Sequence, residues 1–93
     1  MKLRWTPQAV AELEDIRDYL ERERPAWTMS TMRRLYQGAR SLKTMPQRGR
    51  IGETPGTREL VSVSMPFITV YRITDDFVEI LGFRHAAQDR RHN

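Results

Sequence analysis

Cysteine is absent from the 93 residues, which excludes a disulfide scaffold, a thiolate metal site and a cysteine nucleophile. Histidine is scarce: His85 and His92 are the only two, too few for a histidine-rich metal centre, and no metal or cofactor is expected. No apolar run approaches the ~18 residues needed to span a bilayer, so no membrane partner is expected. The opening residues Met1, Lys2, Leu3, Arg4 and Trp5 are not followed by the apolar core of a signal peptide, and the chain reads as cytoplasmic. Five glycines and five prolines are too few for a linker or a repeat protein. What remains is the balance of a small folded unit, 39% hydrophobic and 30% charged, read as one domain over residues 1–93.

Acid is missing from one stretch. Residues 25–52 carry Arg33, Arg34, Arg40, Lys43, Arg48 and Arg50 without any Asp or Glu, whereas the segments on either side each sum to −1. The whole positive excess of a chain with net charge +4 therefore lies in its middle. A single-sign block favours an anionic partner, nucleic acid or an acidic protein segment. The competing reading is a solvated helix face followed by a basic loop.

Residues 2–5 alternate polar and apolar, as a short strand does. Thr6 and Pro7 then form a helix start, with a capping side chain followed by the residue tolerated at the first helical position. Ala9, Leu13, Ile16 and Leu20 make one apolar stripe, and Pro25 stops this helix near Glu23. A second helix is expected from about Ala26 to Thr44, with the stripe Met32, Leu35, Ala39 and Leu42. So short a connection makes the two helices antiparallel neighbours. Residues 45–57, with two prolines and three glycines, read as a loop. Three strands follow, Arg58–Val63, Phe67–Ile73 and Phe77–Arg84, joined by tight turns into an antiparallel meander with the middle run as the central strand. The tail His85–Asn93 is polar and basic. The order β-α-α-β-β-β gives an α+β layer pair, a helical hairpin packed on a small, mainly antiparallel sheet.

Four runs in this order resemble a known family. Pro46-Gln47-Arg48-Gly49-Arg50 is similar to its basic loop, Gly56-Thr57-Arg58-Glu59-Leu60-Val61 to the strand after it, and Pro66-Phe67-Ile68-Thr69-Val70-Tyr71-Arg72 to its central strand. Val78-Glu79-Ile80-Leu81, followed by Arg84-His85-Ala86-Ala87-Gln88, is similar to its closing strand. The family is the RelE/ParE superfamily of bacterial type II toxin–antitoxin toxins, and the resemblance covers nearly the whole chain. It implies the same β-α-α-β-β-β fold and a cognate antitoxin that wraps a disordered, acidic C-terminal segment around the toxin by helix-in-groove and strand addition.

The resemblance offers two modes of action. RelE-like members cleave mRNA in the ribosomal A site, and ParE-like members inhibit DNA gyrase by binding. Attack by a 2′-OH needs a proton acceptor, a proton donor and a cation for the phosphorane charge. The nuclease branch supplies an Arg directly after the strand aromatic, basic residues on the preceding strand and a terminal set containing Tyr. This chain has Ile68, then Glu59 and Val61, then Ala86 and Ala87 at those places, with no Tyr downstream. It is therefore expected to be ParE-like, acting through its surface and without catalytic residues. The alternative is a ribosome-dependent mRNA endonuclease using Arg84 and His85.

The residues expected to contact the target are Arg48, Arg50, Arg58, Arg72, Arg84 and His85; those expected to contact the antitoxin are Arg33, Arg34, Arg40 and Trp27. For several of these a structural role competes. Arg58 and Arg72 can pair with Glu59, Asp75 or Glu79 across the sheet. His85 can be hydrogen-bonded at a strand end, and Trp27 can cap the edge of the core. Tyr71 and Phe83 are expected in the core, and the methionines are read as packing filler.

Overall fold

Thr6 starts the first helix as its residue type requires. Its backbone is extended, its hydroxyl oxygen accepts from the Ala9 amide at 3.0 Å, and Pro7 occupies the first helical position. In the computed structural model, which describes residues 1–62 and 64–88, the elements are β1 (Lys2–Trp5), α1 (Pro7–Glu23), α2 (Thr28–Ser41), β2 (Arg50–Ile51), β3 (Arg58–Leu60), β4 (Phe67–Ile73) and β5 (Phe77–His85). Single 3-10 turns lie at Pro25–Trp27, Pro46–Arg48 and Ala86–Gln88. None of the described helices is long and apolar enough to cross a membrane. Replacing Thr6 with Ala should cost about 1 kcal/mol, the usual worth of such a cap, and Thr6→Ser should restore most of it in urea unfolding.

The five strands form one sheet in the order β1-β5-β4-β3-β2. β2, β3, β4 and β5 pair antiparallel in sequence, and β1 joins the far edge parallel to β5. The expected meander and its central strand β4 are therefore present. The pairing jumps from Val70 opposite Gly82 to Tyr71 opposite Ile80, so Leu81 is the extra residue of a β-bulge. Both expected helical stripes are buried: Ala9, Leu13, Ile16 and Leu20 on α1, with Met32, Leu35 and Ala39 on α2 and Leu42 just after it. One core cluster joins Ala9, Ala39 and Leu42 to Leu60, Tyr71, Val78 and Ile80; a second joins the remaining stripe to Met65 and Phe67. Trp5 and Phe83 pack against both clusters and link them.

Four expectations need correction. The second helix begins at Thr28, because Pro25, Ala26 and Trp27 form a separate 3-10 turn, and it ends at Ser41. The loop after it contains the two-residue strand β2, which the prolines and glycines around it concealed. The strand expected to reach Val63 ends at Leu60; Val63 itself, like the tail from Asp89, lies outside the described residues. His85 belongs to the end of β5, opposite Phe67, rather than to the tail.

Candidate functional site

Alternation along the strands sends Leu60, Tyr71, Val78 and Ile80 toward the helices and Glu59, Val70, Arg72 and Glu79 to the opposite face. On that opposite face two carboxylates each hold two guanidinium groups. Arg50 donates to Glu59 Oε1 from Nε at 3.0 Å, with Nη2 at 2.9 Å, and Arg84 Nη2 lies 2.9 Å from Oε2. The Glu59 side chain is only 4% exposed. Burial pushes its carboxyl upward, but the hydrogen bonds and charges of Arg84 and Arg50 outweigh that and hold it below its ordinary 4.5. Glu79 accepts from Arg72 Nε at 2.7 Å and from Arg4 Nε at 3.1 Å. Its carboxyl is also lowered, chiefly by the Arg72 hydrogen bond. The Arg4 guanidinium in turn lies 4.4 Å from the centre of the Phe77 ring.

A second construction pins the basic loop. The fully buried Tyr71 donates its hydroxyl hydrogen to the Pro46 carbonyl at 2.7 Å and accepts the Gly49 amide at 2.8 Å. Burial raises the phenol above its usual 10.0, so it stays protonated and able to donate. Arg58 Nη1 donates to the Gly49 carbonyl at 2.8 Å. A Cβ on Gly49 would lie 2.6 Å from the Tyr71 oxygen, so only glycine fits under this clamp. Arg48, the last residue of the 3-10 turn that opens the loop, donates to Ser41 Oγ at 2.6 Å.

The expected target-contact residues thus fall into separate groups. Arg50 and Arg84 meet on Glu59, Arg72 shares Glu79 with Arg4, Arg58 holds the loop, and Arg48 turns back to α2. His85 is half-buried, with its ring edge-on to Phe67 at 5.3 Å and its Nδ1 accepting the Ala87 amide at 3.2 Å. Glu12, Asp15, Ile16 and Phe83 complete a concavity of about 230 Å³ beside Phe67, His85 and Arg84. There Glu12 accepts the Phe83 amide at 2.7 Å, occupying part of the β5 edge that lies beyond the reach of β1.

The expected antitoxin-contact residues also divide. Arg33 and Arg40 lie seven residues apart on the α2 flank that carries Met29 and Tyr36, whereas Arg34 faces the neighbouring flank beside Arg48. Trp27 is 60% exposed and covered on one side by Arg24, 5.5 Å away; it does not cap the core. Met29 and Met45 are likewise exposed rather than filler.

Sequence reasoning passed over a trough of about 480 Å³ between the helices. Trp5, Val10, Leu13, Met32 and Tyr36 give it an apolar lining, with Glu14 and Arg17 at the rim. The signal was present as half-exposed apolar residues beside each buried stripe, Val10 next to Leu13 and Tyr36 next to Met32. Trp5 and Tyr36 meet there at 5.8 Å between ring centres.

This fold, a helical hairpin on a five-stranded mixed sheet, is that of the RelE/ParE superfamily. The "Chromosomal ParDE TA system from P. aeruginosa" superimposes with a TM-score of 0.82 at 26% identity, covering 91% of this chain and 95% of that one. The toxin–antitoxin complex RelBE2 from Mycobacterium tuberculosis shares the fold with a TM-score of 0.64 at 22% identity, covering 90% of this chain and 95% of that one. Residues 3–90 match the family described as "ParE toxin of type II toxin-antitoxin system, parDE", and the chain belongs to that family. It is 40% identical to Toxin RelE2 of Caulobacter vibrioides over 84 residues, 90% of this chain and 93% of the relative. Over 87 residues it is 38% identical to the protein Y4kP of Sinorhizobium fredii, 94% of this chain and 90% of the relative. It is a toxin of a type II toxin–antitoxin system.

Proposed function

We propose that this toxin acts in the ParE manner, inhibiting DNA gyrase by binding it, and that a cognate antitoxin neutralises it. The observation that carries the reading is the commitment of Arg50 and Arg84 to the buried carboxylate of Glu59. A cation that stabilises a phosphorane must direct its donors at the developing charge, and a guanidinium already ion-paired with a carboxylate is a poor source of that field. Ile68, 1% exposed, fills the place where a nuclease of this superfamily carries Arg. His85 gives its Nδ1 to the Ala87 amide. The specific feature favouring the alternative, an mRNA endonuclease, is the adjacency of Arg84 and His85 at one half-buried concavity.

The trough between α1 and α2 suits an amphipathic helix of the antitoxin. Its lining is largely apolar, Arg17 stands at its rim beside Glu14, and Arg33 and Arg40 share the α2 flank of Tyr36, cations that suit acidic residues of such a helix. Purified toxin should inhibit gyrase supercoiling and leave messages on translating ribosomes uncut in primer extension. A general acid or base contributes about 10²–10⁴-fold in rate, so a chain without the nuclease set should show no discrete cuts. Cleavage that His85→Ala or Arg84→Ala abolishes would replace this reading with the endonuclease.

A further inference from the structure

The acid-free stretch of the chain ends at Gly52, and the next residue is Glu53. It lies in the loop that joins β2 to β3, and that loop is closed on itself. The Gly52 amide donates to the Thr57 carbonyl at 2.8 Å. The Thr54 carbonyl accepts the Thr57 amide at 3.1 Å and the Thr57 hydroxyl at 2.6 Å, and Gly56 takes the positive φ of 83° in this turn. Held this way, Glu53 reaches the sheet face opposite the helices, where its Oε1 lies 3.9 Å from Arg84 Nη2. Arg4, Arg50, Arg72 and Arg84 are ion-paired on that face to Glu59 and Glu79, so Glu53 adds a third carboxylate to four guanidinium groups. Stability does not account for its presence there. Arg84 already meets the buried Glu59 at 2.9 Å. The Glu53 side chain is 53% exposed, and so loose a pair in water adds little.

We propose that Glu53 is a specificity-determining residue that keeps nucleic-acid phosphate off this arginine-rich face of the sheet. Nucleic-acid affinity comes mainly from cations that neutralise phosphates. A carboxylate standing among those cations repels each phosphate that approaches them, and repulsion of a wrong partner sets specificity as much as attraction to the right one. Glu59 and Glu79 are buried against their arginines, whereas Glu53 is exposed and turns its charge toward an incoming strand. The other layer makes the contrast: α2 carries Arg33, Arg34 and Arg40 with no carboxylate from Thr28 to Ser41. Phosphate that meets this chain is thereby left with α2. The inference goes beyond the function proposed above and does not depend on gyrase being the target.

The test is fluorescence anisotropy of a labelled 12-nucleotide uridine RNA titrated with the full chain, alongside NMR spectra of the ¹⁵N-labelled chain in the same mixtures. Glu53→Gln should bind the RNA roughly fivefold more tightly than the parent, the worth of one like-charge contact at about 4 Å in water, and Glu53→Lys roughly twentyfold. Both gains should shrink as salt is raised. Glu21→Gln makes the same change in net charge toward the end of α1, and screening should hold its gain below about twofold. RNA should shift the backbone amides of Arg50 and Arg84 in the Glu53 variants, while in the parent the shifts should be confined to α2. Thermal midpoints equal to the parent's establish that the variants are folded. Equal affinity of Glu53→Gln and the parent overturns the proposal. So does an equal gain in Glu21→Gln, which would make the effect one of net charge alone, and so does RNA that shifts the Arg50 and Arg84 amides of the parent. The same preparations enter the supercoiling assay: failure to inhibit gyrase, beside an RNA gain confined to the Glu53 variants, sinks the target reading and leaves this one standing.

Discussion

Gly49→Ala should be among the most destabilising single-methyl additions in this chain, lowering stability by about 2–4 kcal/mol in urea unfolding. The added carbon would sit 2.6 Å from the Tyr71 hydroxyl oxygen and 2.8 Å from both the Glu59 carbonyl oxygen and Tyr71 Cε1. Two of these three are backbone or a buried ring, so the loop itself must move. Moving it withdraws the Gly49 amide and the Pro46 carbonyl from the hydroxyl that satisfies both. A buried hydroxyl left without partners then costs about as much as the overpacking. Tyr71→Phe isolates the second part: it keeps the ring and removes only the hydroxyl, for a loss of about 1–2 kcal/mol. The double variant should fall short of the sum, because removing the hydroxyl removes the nearest clash while the Glu59 carbonyl stays in the way. A Gly49→Ala chain within 0.5 kcal/mol of the parent, or strict additivity, would mean the loop is not clamped.

Most of the fold could be read from the residues because its signals are local. The stripes on α1 and α2, the cap at Thr6 and the turns flanking β4 each lie within a dozen residues of sequence, and each is present. Features that depend on pairing across the sheet were harder to read. β2 is two residues long and exists because Arg50 finds Glu59 opposite it. Nothing in a run of prolines and glycines announces that register. The end of β3 is similar: Val61 has the residue type of a strand, yet β3 stops at Leu60, and Ser64 soon takes a positive φ of 65°.

The candidate site divides along the same line. Arg72 and Glu79 sit opposite each other on adjacent strands joined by a tight turn, so their pairing was among those expected. Arg84 reaches Glu59 across the intervening β4, a contact that depends on the bulge at Leu81 and on the order of three strands. Arg58, for which a pair with a carboxylate across the sheet competed with contact to the target, serves backbone carbonyls of the loop, because it shares a face with Tyr71 whereas Glu59 turns to the other. The departures from the nuclease branch at Ile68, Ala86 and Ala87, by contrast, need only residue identities to be read.

Glu59→Gln should lower stability by about 2–3 kcal/mol at pH 7, shifting the thermal midpoint by roughly 10–20 °C for a chain of this size. The substitution keeps the shape and one acceptor oxygen but removes the charge that faces two guanidinium groups. Breaking a buried ion pair by removing one partner usually costs about 3–5 kcal/mol. The Arg50 and Arg84 side chains are 33% and 26% exposed, so both can recover part of their hydration, which places the cost toward the low end. The pH dependence separates charge from shape. The Glu59 carboxyl is held below 4.5 in the folded chain, so its contribution is complete above the unfolded value. It is lost as pH falls through the depressed folded value. The parent should therefore lose stability below about pH 4.5 faster than Glu59→Gln does, and the gap between the two should narrow toward pH 3. Glu79→Gln should show the same sign with a smaller effect, because Arg4 and Arg72 are each 52% exposed and the attraction between them and Glu79 is screened by water. Parallel stability curves for the parent and Glu59→Gln from pH 7 to pH 3 would show that the buried carboxylate holds the two arginines by its shape alone.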